Sequence, residues 1–140
     1  LRKITHAVDI YSKQLKKNYN ITGPQLLCLY AITENGPTTL TEISKLISLS
    51  SSTILGIVDR LEQKGYVERK RGLRDRRKVF ITATQKGSEF AQSAPMLLHD
   101  KVAQGLDQQP EQQQLTIARS LEQLVSLMDA NCIDEKQMIK

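Results

Sequence analysis

Residues 50–87 decide the fold; they read SSSTILGIVDRLEQKGYVERKRGLRDRRKVFITATQKG. Apolar side chains recur at three- and four-residue intervals after Ser50, which predicts a helix over 51–64 that Ser50 caps and Gly65 ends. The buried face of that helix would be Ile54, Ile57, Val58 and Leu61. Beyond Gly65 the apolar period changes to two, which is the period of a β-strand. The stretch therefore predicts a helix followed by a β-hairpin.

The predicted hairpin has strands over 66–70 and 78–82, joined by residues 71–77. Apolar residues alternate along the second strand, so one of its faces is expected to pack on the core. The inward positions would be Val79, Ile81 and Ala83.

Two helices are predicted at the start of the chain. The first covers residues 2–19. The second begins after Thr22, where Gln25 completes a capping box, and ends at Gly36. Because its interior, residues 26–32, is almost wholly apolar, we expect this to be the central core helix.

A short third helix is predicted over 42–47, capped either by Thr41 or by Thr39 with Glu42 as the capping-box partner. Only a few residues separate it from the helix over 51–64. Two helices so joined and followed by a hairpin predict a winged helix-turn-helix, within a mainly α (α+β) fold.

Downstream of the hairpin, Thr84 is expected to cap a long helix that runs to about Gly105 with a kink at Pro95. Pro110 is expected to open the last helix at a favoured first-turn position.

Composition excludes several functional classes. No apolar run approaches the ~20 residues of a membrane-spanning helix, and aromatic residues make up only 4%, which argues against an aromatic-lined pocket. The two cysteines form no disulfide framework, so we expect a cytoplasmic protein.

No nucleophile with a base, carboxylate pair or phosphate-binding glycine loop is recognisable, so we expect neither catalytic residues nor a cofactor. His6 and His99 lack partners at metal-ligand spacing, and no metal is expected.

The charge is unevenly distributed along the 140 residues, whose formal net charge is +5. Residues 60–86 hold ten Lys and Arg against three acidic residues, whereas residues 87–140 hold four against eight. A cationic stretch of this kind indicates a polyanionic partner that docks on one face.

The predicted helix over 51–64 suits entry into a DNA major groove, where small polar residues lead. Its candidate DNA contacts are Ser50, Ser51, Ser52, Thr53, Leu55, Gly56 and Arg60. Gly56 would allow a close approach to the groove wall, and Leu55 would contact a thymine methyl. Taken alone, a Ser/Thr run is more often an N-cap with a polar surface. The basic hairpin that follows favours DNA.

The candidate DNA contacts of the hairpin are Arg69, Lys70, Arg71, Arg74, Asp75, Arg76, Arg77 and Lys78. Guanidinium groups at a turn suit the negative potential of a narrow minor groove. Asp75 is expected to fix an arginine side chain through a bidentate ion pair. A solvated charged turn is the alternative, but these cations would repel one another without a partner.

These residues resemble the MarR family of bacterial transcription regulators. The resemblance lies in the run from Ser50 to Arg69, in Asp75-Arg76-Arg77-Lys78-Val79 and in residues 82–87. It implies a homodimer that binds a pseudo-palindromic double-stranded DNA operator and represses transcription. By the family's wing pattern, Arg77 would be the minor-groove arginine and Asp75 its anchor.

Segments 21–27, 94–98 and 127–134 look similar to the branch of the family that controls ectoine and other compatible-solute genes, which implies an osmotic signal. The logarithm of DNA affinity falls linearly with the logarithm of salt concentration, by about 0.9 per phosphate contact. Rising ion concentration would then be enough to release the operator without a ligand.

Many family members bind aromatic acids, and Tyr11, Tyr19 and Tyr30 are the candidates here for such a cleft. Ordinary core packing with a hydroxyl at the rim is the favoured alternative.

Cys28 is expected to be a buried hydrophobe. Similar redox-sensing regulators carry their reactive cysteine in the first helix, which has none here. Cys132 is expected to be exposed.

The outer helices carry apolar residues in narrow stripes that one chain would bury poorly. The stripe residues are Ile4 and Val8 in the first helix and Ile117, Leu121, Leu124 and Met128 in the last. We therefore expect a dimerisation helix (1–20), a winged helix-turn-helix DNA-binding domain (21–84) and dimerisation helices (85–140). A winged-helix protein-interaction module without specific DNA binding is the alternative, and it predicts a wing of balanced charge.

Overall fold

The computed structural model describes residues 1–132, and the surroundings of side chains as far as residue 128. Within this range the elements are α1 (Arg2–Tyr19), α2 (Gly23–Asn35), α3 (Leu40–Ile47), α4 (Ser51–Gln63), β1 (Val67–Arg71), β2 (Val79–Ala83), α5 (Gln85–Ser93), α6 (Leu98–Asp107) and α7 (Glu111–Cys132). The chain divides into two compact units, residues 1–98 and the residues from His99 onward. The functional division predicted at residues 20 and 84 stays a proposal.

Helix α2 is the centre of the first unit. Its side chains are apolar on every side, and Leu26, Cys28, Leu29 and Ile32 have no exposed surface. Helices α3, α4 and α5 and strand β2 all pack against it. The sequence-based prediction of a central core helix is confirmed, because a helix without a polar face is stable only when it is surrounded.

Side-chain caps set where the helices of this unit begin. The Thr22 side chain accepts a hydrogen bond from the backbone N–H of Gln25. In turn, the Gln25 side-chain oxygen accepts one from the backbone N–H of Thr22. Thr39 and Glu42 form the same capping box, so α3 begins at Leu40, and of the two predicted caps Thr39 is the correct one. Hydrogen bonds from the Thr39 backbone and then from the Thr38 hydroxyl lower the pKa of Glu42, which therefore stays ionised in this role.

The wing, residues 67–83, is an antiparallel hairpin in which Val67 pairs with Ala83 and Arg71 with Val79. Both strands begin one residue later than predicted. Ile81 also exchanges two backbone hydrogen bonds with Thr38, a bridge that the sequence did not reveal. Val79 is 40% exposed, so its predicted inward position is wrong: it lies beside the turn of the hairpin, beyond the reach of the core.

The predicted long helix from Thr84 to Gly105 is interrupted, so the expectation of a single kinked helix is wrong. Helix α5 ends at Ser93, and α6 begins only at Leu98. Ala94 has extended backbone angles because a following proline ring excludes the helical conformation, and Pro95 has no N–H to continue the ladder. Leu97, in the connection between the two helices, is buried in the core.

The apolar stripe of α1 divides into two parts. Leu15 is buried in the core and Tyr11 packs against it, whereas Ile4 and Val8 are exposed. Only the C-terminal half of the helix therefore serves the core of the first unit. The N-terminal half presents apolar surface to solvent.

The second unit consists of α6 and α7 within the described residues. Pro110 lies at the N-cap of α7 rather than in its first turn, since its carbonyl accepts the first helical hydrogen bonds. The side chains of Leu121, Leu124 and Met128 are exposed, and Ile117 is partly so. Across residues 1–132, no helix combines the length and hydropathy needed to cross a bilayer.

Gly87 is required where α5 meets the start of the wing. A Cβ added there would lie 1.9 Å from the carbonyl oxygen of Tyr66. Neither partner can move easily, because Thr84 donates its backbone N–H to the same carbonyl and the Tyr66 ring stacks on Phe90. The absence of a side chain thus sets the distance between α5 and the wing.

We expect Gly87→Ala to lower the free energy of unfolding by about 1–3 kcal/mol, the usual cost of overpacking. Gly105→Ala is the matched control, since a Cβ there meets nothing and alanine favours a helix by about 0.5–1 kcal/mol. Urea unfolding of both variants measures the difference. Equal stability of the two would show that the contact with Tyr66 is not tight.

Candidate nucleic-acid interface

The N-terminus of α4 carries four hydroxyl groups, those of residues 50–53, and their hydrogen bonds differ. Ser50 is the N-cap, and its Oγ accepts from the Thr53 N–H while lying 2.8 Å from the Thr53 hydroxyl. Ser52 Oγ lies 3.2 Å from Ser50 Oγ. Ser50 and Thr53 are thus tied to the cap, which fixes the first turn. Ser51 and Ser52 stand on the exposed face that this cap positions.

The exposed face of α4 continues through Leu55 and Gly56. Leu55 is 45% exposed, although it is a large apolar residue on a core helix. A Cβ on Gly56 would meet no atom within 4 Å, so packing within the chain does not require glycine there. Glycine in a helix interior costs stability, and no close contact within the chain accounts for it at this position. Arg60 lies one turn further along the same helix.

The turn of the wing presents a group of cations to solvent. The exposed members are Arg71, Arg74, Arg76, Arg77 and Lys78. Backbone hydrogen bonds from Gly72 to Lys78 and from Lys78 to Asp75 hold the turn in one conformation. Lys70 is also exposed but lies 2.7 Å from Glu68, which offsets its charge.

Asp75 does not hold an arginine side chain as predicted. Its Oδ1 accepts a hydrogen bond from the backbone N–H of Arg77 at 3.0 Å, and no ion pair of Asp75 occurs among the described residues. A short acidic side chain can bond the backbone two residues ahead of it, which is the local pattern of an Asx-turn. Asp75 therefore orders the backbone that carries Arg77 and leaves the guanidinium free to extend.

Arg69 is not displayed with the other wing cations, contrary to its predicted place among the DNA contacts. Its Nη2 lies 2.5 Å from Asp59 Oδ1, and its Nη1 donates to the Glu62 carboxylate. Both acids belong to the outer face of α4. The hydrogen bond with Asp59 is the main reason that the pKa of Arg69 is raised, so the group stays charged. Arg69 joins β1 to the helix instead of facing solvent.

This ion-pair cluster of Asp59, Glu62 and Arg69 fixes the angle between the wing and α4. One guanidinium with parallel donors can satisfy two carboxylates, which a lysine cannot do with the same geometry. The signal was present in the sequence as two acids three residues apart on the exposed face of a helix, followed by a basic strand. Only the fold shows which cation they select.

The three candidate cleft tyrosines have different surroundings, and their role in a ligand cleft stays a prediction. The Tyr11 hydroxyl donates to the Met96 carbonyl at 2.7 Å, and the Tyr30 hydroxyl donates to the Pro95 carbonyl at 3.2 Å. Tyr19 is 38% exposed. Tyr11 and Tyr30 pack against the core and hold the break between α5 and α6, which matches the packing alternative.

Cys28 lies in the interior of α2 with no exposed surface. Burial raises the pKa of its thiol to about 11, so the reactive thiolate is scarce at neutral pH. The side chain of Cys132 lies outside the described residues. Over the part of the chain that the structure describes, no three His, Cys, Asp or Glu side chains gather in a group able to hold a metal ion.

A short helix, a tight connection, an exposed second helix and a two-stranded basic wing define the winged helix-turn-helix class. The profile of the MarR family matches residues 21–79, which are α2 to the start of β2. Over this region the chain is similar to the MarR family.

Two curated relatives are similar over the same region. MgrA, an HTH-type transcriptional regulator of Staphylococcus aureus, is 33% identical over 93 residues, which are 66% of this chain and 63% of MgrA. The organic hydroperoxide resistance transcriptional regulator of Bacillus subtilis is 34% identical over 82 residues, 59% of this chain and 56% of that protein. The chain thus spans less than two thirds of the length of either relative.

Solved structures extend the likeness to most of the chain. The transcriptional regulator BldR from Sulfolobus solfataricus has a TM-score of 0.66 at 26% identity, covering 89% of this chain and 88% of BldR. Reduced AbfR, solved bound to DNA, has a TM-score of 0.62 at 28% identity, covering 91% and 86%. The predicted fold class is confirmed.

We expect Arg69→Lys to lower the free energy of unfolding by about 1–2 kcal/mol, since lysine keeps the charge but its single nitrogen cannot reproduce the contacts that the two guanidinium nitrogens make with two carboxylates. Arg71→Lys, two residues along the same strand and exposed, is the control and should leave stability unchanged. Thermal and urea unfolding give the comparison. Identical curves for the two variants would contradict a structural role for Arg69.

We expect Cys28 to resist a thiol reagent as long as the protein is folded. In a Cys132→Ser background, Ellman's reagent at neutral pH should leave Cys28 intact, because the thiol is both buried and protonated. After denaturant is added, one equivalent of thiol per chain should react with the reagent. Rapid stoichiometric reaction of the folded variant would refute the burial and reopen a redox role for Cys28.

Proposed function

We propose that this protein is a homodimeric, sequence-specific transcriptional regulator that binds a pseudo-palindromic DNA operator. The observation that carries the proposal is the pairing of an open small-residue face on α4 with an ordered turn of exposed cations on the wing. The Asp59–Glu62–Arg69 cluster holds these two surfaces at a fixed angle. Major-groove and minor-groove contacts need such a fixed angle to be made together.

The electrostatics of the wing favour DNA over a protein partner. The one acid in its turn, Asp75, is engaged by the backbone of Arg77 and does not pair with a neighbouring cation. Five exposed cations close together repel one another, and a phosphate backbone relieves that repulsion. A protein-interaction module has no need of such an unbalanced turn.

We assign different tasks to the two surfaces. On α4, Ser51, Ser52 and Leu55 would read base edges, and Gly56 would admit the groove wall. On the wing, Arg77 would enter the minor groove and the remaining exposed cations would contact phosphates. Ser50, Thr53 and Asp75 would position these groups from within the fold.

The apolar stripes support the homodimer. Ile4 and Val8 are 55% and 43% exposed, and Leu121 and Met128 are 47% and 57% exposed. Apolar residues that recur on one face of a helix and remain exposed mark a surface that a further helix covers. A second copy of the chain would cover them and would place two recognition helices on the two half-sites of an operator.

Repression is the regulatory outcome we propose, because a dimer seated on an operator obstructs transcription. The finer hypothesis of osmotic control of compatible-solute genes rests on the sequence resemblance and on the salt dependence of phosphate contacts. Its test is whether salt alone releases the operator from this protein at a lower concentration than from a typical regulator of this class. Release by salicylate at constant salt would instead support an aromatic-acid effector.

The deciding experiment is a titration of the purified protein with DNA from upstream of its own gene and neighbouring operons, at several salt concentrations. Specific binding with a stoichiometry of two chains per site supports the proposal. A shuffled duplex of the same length is the control. Equal affinity for both duplexes would favour the protein-interaction module.

We expect Arg77→Ala to weaken operator binding by roughly 1–3 kcal/mol. The slope of log affinity against log salt should become shallower by about 0.9, the contribution of one phosphate contact. Arg119→Ala, which removes the same charge from the exposed surface of α7, should change neither quantity. Fluorescence anisotropy at four salt concentrations measures both. An unchanged slope in Arg77→Ala would remove Arg77 from the interface.

We expect Gly56→Ala to separate stability from binding. The variant should unfold at higher urea, by about 0.5–1 kcal/mol, because alanine favours the helix and its methyl meets nothing in the chain. Operator binding should weaken at least tenfold, because the methyl intrudes where the groove wall approaches. A variant that is more stable and binds equally well would show that α4 does not enter the groove at this residue.

A further inference from the structure

A second basic feature lies away from the wing, at the junction of α1, α2 and α4. It is a cleft of about 350 Å³, here called the junction cleft, and Lys16, Arg60 and Lys64 are the charged residues that line it. The other lining residues are uncharged: Asn20, Ile21, Thr22, Gln25 and Gln63. Three cations therefore share a concave site whose lining contains no carboxylate.

The three cations are close enough to act on one another. The pKa of Lys64 is lowered, first by burial and then by the positive charges of Arg60 and Lys16. This repulsion costs free energy in an empty site and is relieved when an anion enters. The junction cleft is thus electrostatically prepared for negative charge.

Hydrogen-bond donors remain available in the junction cleft. Lys64 Nζ donates to the Asn20 carbonyl, which uses one of its three N–H groups and directs the ammonium toward the site. The side-chain oxygens of Thr22 and Gln25 already accept hydrogen bonds within their capping box. Any anion would be held by the side chains of Lys16, Arg60 and Lys64.

We propose that the junction cleft is a binding site for a phosphate-type oxyanion. A tetrahedral oxyanion has enough acceptors for two ammonium groups and the donors of a guanidinium at once, and charge-assisted bonds of this kind are the strong ones. The phosphate belongs either to the DNA backbone flanking the operator or to a free phosphate compound. The chemistry of recognition is the same in both cases.

The test is calorimetric titration of the full chain with inorganic phosphate, against sodium chloride of equal ionic strength. We expect saturable binding that Lys16→Gln and Lys64→Gln each weaken about tenfold. Lys17→Gln is the matched control, because it removes the same charge from the adjacent residue, which does not line the cleft. Lys16→Gln breaks no described hydrogen bond, so its effect is independent of the contact between Lys64 and Asn20.

Nuclear magnetic resonance of the same samples locates the site, with the largest phosphate-dependent shifts expected at the backbone amides of residues 16–25 and 60–64. The proposal is overturned if phosphate gives no saturable signal, or if Lys17→Gln weakens binding as much as Lys16→Gln does. Because this titration contains no DNA, its failure is distinct from a failure of the proposed operator binding.

Operator DNA distinguishes the two sources of phosphate. If the DNA backbone fills the junction cleft, Lys16→Gln will weaken operator binding more than Lys17→Gln, and inorganic phosphate will compete with DNA. If a free phosphate compound is the occupant, the two variants will bind DNA equally while only Lys17→Gln retains phosphate binding. Either result supports the site and assigns its occupant.

Discussion

The burial of α2 is the constraint on which the first unit depends. A helix with apolar residues on every side cannot sit at a surface, so other elements have to enclose it. Helices α3, α4 and α5 and strand β2 provide that enclosure. Each enclosing helix gives its apolar face to α2 and keeps its other face for solvent. The exposed face of α4, with Ser51, Ser52, Leu55 and Gly56, is therefore a direct consequence of where Ile54, Val58 and Leu61 are buried.

The position of the wing depends on two contacts of opposite kinds. Arg69 pulls β1 toward α4 through the carboxylates of Asp59 and Glu62. Gly87 permits close approach on the other side, where any side chain would strike the Tyr66 carbonyl. The bridge between Thr38 and Ile81 adds a third attachment. A hairpin of two strands is marginally stable by itself, so these attachments to helices are what give the wing a fixed direction.

Charge and apolar surface are divided between different parts of the chain. Clusters of cations lie in the turn of the wing and in the junction cleft, whereas apolar residues that recur on one exposed helix face lie on the N-terminal half of α1 and along α7. These surfaces add little to the stability of one chain, and the cations reduce it by mutual repulsion. The cationic and apolar surfaces fit the two partners proposed above, DNA and a second copy of the chain.

The sequence alone determined the order of the elements, the buried face of α4, the caps at Thr22 and Ser50 and the basic wing. These follow from local periodicity and from capping chemistry, which act within a few residues. Tertiary structure decided the rest. It placed Arg69 against Asp59 and Glu62 and left Val79 exposed. It also brought Lys16, Arg60 and Lys64 together from two helices and a helix end. Each of these outcomes depends on which residues meet across distant parts of the chain, and local spacing carries no information about such meetings.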